Sequence, residues 1–384
     1  MTQVSQPNLG IETLYIDRDN RIWCGGWADV GLLCYEKTSN QWQQFYFRAK
    51  PHFLHYNAVF QILPLNRNEF WIGTYLNGFV FNHQQRSVRQ YTWLQGKEKE
   101  VSFSQEGINL MPDHCGNRWI YTAKGVFKYN PQQTGFRIQQ QLPVNGDKLK
   151  AFYPIAPGRY LLSTIAGPGY DKIQSLVTEV KNGTARRLPF SIPWAVYEFI
   201  PAGKNTFYAM GARIHRIDLQ KGTATRLPIQ TNEPTGWAQY MEFYRTIRWN
   251  DSILYTCPRT IAEGLIKVNL RRNEAVHFKN ASGTRSPKTP QDNGINRIMR
   301  DRHNRIWCAT ANGIDIFYPD TETFEHYTSG GTGDSLRTHL GRLCEVPDGT
   351  IYLASEAGVY RADATPGKKA SFTFITHVGV CDWV

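Results

Sequence analysis

Residues 17–26 read DRDNRIWCGG and residues 301–310 read DRHNRIWCAT, identical at seven of ten positions. A decapeptide written twice marks either a duplicated site or two copies of a structural repeat, and its flanks decide which. Both copies sit in longer matching stretches: GIETLYIDRDNRIWCGGWADVGLLCYEKTSNQWQQF from Gly10 and GINRIMRDRHNRIWCATANGIDIFYPDTETFEHY from Gly294. Related stretches begin at Asn57, Gly107 and Gly341, and weaker ones at Tyr153, Tyr197 and Phe243. The bulky residue of the second apolar run falls at Trp23, Trp71, Trp119, Tyr160, Phe207, Leu254, Trp307 and Tyr352. The spacing averages about 47 residues, so the decapeptides belong to units one and seven of an eight-unit array.

Each unit parses into four short strands. An apolar run such as IETLYI leads into a polar turn (DRDN, DHCGN, PDGT), and a strand of the form W-I/C-x-T/G follows. A Gly-containing loop, a third strand such as GVFKYN, a second polar turn and a short last strand complete the unit. Asp, Asn and Gly suit such turns because their side chains bond the backbone or tolerate positive φ. Four strands per repeat, eight times over, specify an all-β fold, a β-propeller of four-stranded blades. The array reads as one propeller domain over 1–384, with units near 9–50, 56–95, 105–143, 149–190, 194–231, 238–281, 292–330 and 336–380. A single eight-bladed ring and seven blades plus one unit of a neighbouring propeller both fit. The recurring bulky residue is expected to fill space between adjacent blades.

Composition agrees. Aromatic residues make up 13% of the chain, with 32 Gly and 20 Pro, which suits many strands and tight turns. The net charge of +12 comes from scattered Lys and Arg, the densest groups being Arg186–Arg187, Arg271–Arg272 and Lys368–Lys369. No basic run points to nucleic acid, whereas a diffuse positive field favours anionic partners, including anionic saccharides. Seven cysteines show neither CxxC nor zinc spacing, so buried thiols and no metal site are expected, and no cofactor motif is present. There is no apolar run of membrane-span length and no signal peptide in MTQVSQPNLG. No membrane contact is therefore expected of this chain itself.

The pattern apolar–x–x–apolar–x–D–x–x–G/N–x–I/L–W–I–G–T–x–x–G resembles the two-component regulator propeller repeat. Trp71-Ile72-Gly73-Thr74 with Gly78 fits well, as do Asp17 to Trp23 and Asp301 to Trp307, and unit three keeps Asp113, Gly116 and Trp119. Units four to six have lost the Trp and most of the Asp turn. The resemblance implies the sensor region of a bacterial hybrid histidine kinase, periplasmic or extracytoplasmic, bound to oligosaccharides and dimerised through its parent receptor. Kinase motifs are absent, so this chain is not expected to be an enzyme.

Ligands of such folds meet the loops between second and third strands and the segments between blades. Those loops carry the candidate contacts Trp27, Tyr75, Tyr170, Arg213, Trp237 and Arg259, within a wider set that includes Asp29, Asn77, Trp194, Glu263, Asp292, Asn293 and Asn312. Aromatic faces with planar polar groups suit the CH-rich faces and hydroxyls of sugars. The expectation is a non-catalytic sensor of an oligosaccharide or similar small molecule. A protein-interaction scaffold and a carbohydrate-active lyase or hydrolase are the alternatives, and the last would need a pair of carboxylates.

Overall fold

The turn after each first strand shows how the repeat builds itself. In unit seven, Asp301 Oδ1 accepts the backbone N–H groups of His303 and Arg305 at 3.0 and 2.8 Å. Its Oδ2 accepts Arg305 Nε at 2.7 Å and Trp307 Nε1 at 2.8 Å. Unit one repeats the arrangement with Asp17, Asp19, Arg21 and Trp23, at distances from 2.7 to 3.0 Å. The turn needs one left-handed residue, filled by Asn20 at φ 59° and Asn304 at φ 60°, and asparagine tolerates this conformation. One carboxylate thus closes the turn, holds a cation and fixes the ring of the packing tryptophan. Elsewhere a simpler version serves: Asn250 Oδ1 accepts Ser252 N and Ile253 N, and Asp348 Oδ1 accepts Thr350 N.

The structure is a computed structural model and describes residues 11–26, 31–47, 58–74, 78–90, 109–112, 118–122, 125–129, 136–141, 148–166, 173–232, 243–258, 263–281, 283–328, 340–355 and 358–376. Among the described residues the strands form eight sheets, spanning 11–45, 59–90, 109–141, 148–193, 196–226, 243–278, 295–328 and 340–376. Within each sheet the four strands lie side by side in chain order, each antiparallel to the last. These are the blades of a β-propeller. Sheet six gains a fifth strand: Gln230–Thr231, placed by spacing at the end of unit five, pairs parallel with Glu274–Phe278. Gln230 N donates to Asn273 O at 2.7 Å, so the chain covers that outer edge itself.

The chain forms two compact units, Met1–Gly107 with Asn280–Val384, and Ile108–Lys279. In the first, sheets seven, eight, one and two pack in that order, largely through their first strands. The last sheet therefore lies against the first, and Arg342 Nε donates to Glu12 O across this contact at 2.9 Å. In the second unit, sheets three to six stack in sequence order.

The core lies between neighbouring sheets. Trp23 is 2% exposed and packs on Phe70, Ile72 and Phe81 of sheet two, edge to face with Phe70 at 5.0 Å. Trp307 meets Leu353 and Tyr360 of sheet eight, and Trp119 meets Phe152 of sheet four at 5.4 Å. Each of these three tryptophans thus faces the following blade. Units four to six differ. Tyr160, Phe207 and Leu254 are buried as expected, but they face back: Tyr160 packs with Trp119, Phe207 with Ala151 and Leu161, and Leu254 with Ile200 and Met210. The residue that faces forward is one position later, for example Leu161, which clusters with sheet five. An average repeat length cannot resolve one residue, yet one residue reverses the face on a strand.

Five cysteines among the described residues, Cys24, Cys34, Cys257, Cys308 and Cys344, are free thiols. Burial raises Cys34 to about 12, which keeps its thiol protonated and unreactive.

Candidate functional site

In an up-and-down blade the turns joining second to third strands, and the segments joining one sheet to the next, emerge at one end. The Asp-locked turns emerge at the other. Of the six predicted contacts, Trp27, Tyr75, Tyr170, Trp237 and Arg259 lie outside the described residues, as do Asp29 and Asn77. Arg213 is described, together with Trp194, Glu263, Asp292, Asn293 and Asn312.

Four of these are held in local structure. Glu263 takes Lys279 Nζ on both oxygens at 3.0 and 3.1 Å, with His277 Nδ1 3.7 Å away. Burial pulls the His277 imidazole down to about 4 and keeps it neutral. Asn293 and Asn280 exchange side chain-to-backbone bonds at 2.7 and 2.9 Å. Asn312 Nδ2 donates to Asp292 Oδ2 at 2.8 Å, and Asp292 Oδ1 accepts Gly294 N.

Beside them in sheet seven lies a pair that the sequence reading passed over. His326 Nδ1 is 2.8 Å from Asp315 Oδ1, and its Nε2 is 2.8 Å from Ser286 O. The ring bridges a carboxylate oxygen and a backbone carbonyl, and burial raises the Asp315 carboxyl above its ordinary range. The bond to Asp315 raises the imidazole above its ordinary value. Asp315 Oδ2 accepts Gln291 N at 2.9 Å, and the pair thereby ties the segment preceding sheet seven to that blade. A signal existed in GIDIF: an Asp between isoleucines of a core strand needs a buried partner.

Arg213 and Trp194 are placed otherwise. Arg213 stands on the tight turn between Thr206–Gly211 and Ile214–Asp218, and Trp194 on the segment from sheet four to sheet five. The turn and the segment touch: Val196 pairs with Gly211, and a Cβ on Gly211 would sit 2.3 Å from Ala195 O. Trp194 is 36% exposed at φ 71°, a rare conformation for a bulky side chain, held by its N–H donating to Ile173 O at 2.9 Å. Burial, with Arg226 nearby, pulls the Arg213 guanidinium below its ordinary range. His215 is 7% exposed and lies opposite Arg226 in the strand register.

Glu198 was also unforeseen. It stands on the first strand of sheet five, Val196–Gly203, and burial raises its carboxyl to about 7 against the opposing bond from Thr246 of sheet six. A carboxyl near neutrality is an acid–base group, but glycoside hydrolysis requires two. Burial and Thr246 alone account for its shift. Among the described residues no group of three or more His, Cys, Asp or Glu side chains could hold a metal ion, and no helix is long and apolar enough to cross a membrane.

No family model matches this chain, and no curated protein matches it. Solved structures do. A streptogramin B lyase is similar at TM-score 0.51 and 15% identity, over 82% of this chain and 93% of that one. The virginiamycin B lyase of Staphylococcus aureus follows at TM-score 0.47 and 13% identity, over 93% of this chain and 96% of the other. An extracellular domain assigned to a hybrid two-component system of B. thetaiotaomicron is similar at TM-score 0.38 and 15% identity, over 94% of this chain and 54% of that one. The chain thus spans about half the length of such extracellular domains, and at these identities the likeness is one of fold.

Proposed function

We propose that this chain is the ligand-binding sensor propeller of a two-component signalling system, recognising an oligosaccharide or similar small molecule without transforming it. The reading rests on the repeat, whose Asp turn and tryptophan resemble the two-component regulator propeller. The observation that carries it is a division between blade ends. Asp17 and Asp301 build the same turn at one end, while the other end carries Arg213 and the exposed Trp194. Exposed aromatic faces and planar cations are what sugar recognition uses. An extracytoplasmic location and dimerisation through a parent receptor belong to the same proposal.

The test is a thermal-shift screen of the chain against neutral and acidic oligosaccharides, with each ligand recovered afterwards for mass analysis. A sensor gains stability by mass action and returns the sugar intact. Released fragments would instead make Glu198 the first candidate for catalysis. No shift with any glycan, together with a stoichiometric protein partner, would leave an interaction scaffold.

A further inference from the structure

The end of blade five holds a cluster of positive charge around Arg213 whose other members, His215 and Arg226, have no role so far. His215 pairs directly with Arg226 on the neighbouring strand, so these two share one face of the sheet, and Arg213 stands two residues before His215 on the turn that leads into the same strand. The two guanidiniums are close enough for Arg226 to disfavour the charge of Arg213. Burial, the largest cause, lowers the His215 imidazole below its ordinary value; a hydrogen bond with the Arg213 backbone opposes this, and the charges of Arg226 and Arg213 add to it. No carboxylate figures among the groups acting on Arg213 or His215. Arg213 is half-buried and Arg226 exposed, and like charges brought together are unfavourable unless something of opposite sign joins them.

His215 supplies an independent sign. It is 93% buried, and its Nδ1 has no hydrogen-bond partner among the described residues. A buried ring nitrogen in that state is costly, and an oxyanion arriving between the two arginines would give it an acceptor. Trp194 stands at the same end of the blade, since Ala195 contacts Gly211 two residues before Arg213. Its exposed indole and left-handed backbone provide a flat apolar surface beside the charge.

We infer that Arg213, His215 and Arg226, with Trp194 beside them, form a subsite for an anionic glycan, the cations taking a carboxylate or sulfate group and the indole the apolar face of its ring. The inference rests on the sensor reading and narrows it to acidic sugars. Planar guanidiniums suit this task because they bind oxyanions through paired donors.

Calorimetric titration of the full chain decides the matter, with four probes: a short oligogalacturonide, a sulfated galactose disaccharide, the neutral galacto-oligosaccharide of equal length, and inorganic sulfate. At least one acidic sugar should bind about tenfold or more tightly than the neutral one, weaken as salt rises, and be displaced by sulfate. Which acidic sugar binds distinguishes a uronate from a sulfate ester as the natural group. Arg213→Gln and Arg226→Gln, checked for unchanged melting temperature, should each weaken the acidic sugar about tenfold while sparing the neutral one. Trp194→Ala should weaken the acidic sugar and leave sulfate affinity unchanged. Equal affinity for acidic and neutral sugars, or indifference to both arginine substitutions, overturns the subsite and leaves the sensor reading intact. Failure of every glycan to bind overturns both.

Discussion

Trp307 Nε1 donates to Asp301 Oδ2 at 2.8 Å, and six periods away in the sequence Trp23 Nε1 donates to Asp17 Oδ2 at the same length. The residue that closes the turn also orients the residue that packs the blades. The Asp301 carboxylate is fully buried and the Arg305 side chain is 7% exposed, whereas Asp17 and Arg21 are 7% and 22% exposed. Asp301→Ala strands a buried guanidinium and should cost about 3–5 kcal/mol. Asp17→Ala should cost less, about 1–3 kcal/mol, because water reaches Arg21. Urea unfolding of the two variants checks the order, and equal losses would contradict it.

Two glycines separate backbone strain from crowding. Gly183 has φ 82° with nothing within 4 Å of a built Cβ, while Gly264 has φ 72° and its Cβ would lie 2.1 Å from Phe278 O. Gly183→Ala should cost about 1–2 kcal/mol, the penalty of the left-handed conformation alone. Gly264→Ala must also push two strands apart and should cost at least about 3 kcal/mol. A chemical-denaturation pair with the reverse ranking would show that the Gly264 turn is less tightly held than its geometry states.

Glu198 makes stability depend on pH. Its folded value of about 7 lies above the unfolded one near 4.5. Its contribution is therefore complete below about 4.5 and lost as pH rises through about 7. Glu198→Gln removes the charge and should stabilise the protein at pH 8 by on the order of 2 kcal/mol, with little effect at pH 4.5. Melting curves across that interval test it, and an unchanged or lowered melting temperature at pH 8 would count against a desolvated carboxyl.

His326 acts in the same direction for a different reason. Its folded value is raised, so its stabilisation is complete below about 6.5 and disappears as pH rises through the folded value. The groups facing it are Asp315, Ser286 O and Arg285, whose charge opposes its own. His326→Gln should be less stable than the parent at pH 6 by about 1–3 kcal/mol, with the gap narrowing at pH 9. A gap that is constant with pH would mean that the ring is neutral.

The architecture was legible because turn chemistry and strand alternation repeat. Asp17, Asn20 and Trp23 are readable as turn, left-handed corner and packing residue before any coordinates exist. What spacing could not convey was phase: Tyr160, Phe207 and Leu254 were recognised as buried, but they face the preceding blade, a distinction of one residue. The fifth strand Gln230–Thr231 escaped for a related reason, since two residues carry no period. The site was less legible. Glu263, Asp292, Asn293 and Asn312 look in sequence like groups offered to a ligand, and only distances show them bonded to Lys279, Gly294, Asn280 and one another. Arg213 was found from its loop, but its grouping with His215 and Arg226 depends on a strand register that no local motif announces.

The central claim is that the repeated blade end is architecture and the non-repeated end is recognition. Amide hydrogen exchange of the chain, with and without a saturating acidic oligosaccharide identified by the titrations, tests this most directly. The account predicts slowed exchange at 194–196 and 211–215, and unchanged exchange in the turns 17–23 and 301–307. Protection centred on those Asp turns, or none at 194–196 and 211–215 when ligand is bound, would contradict it.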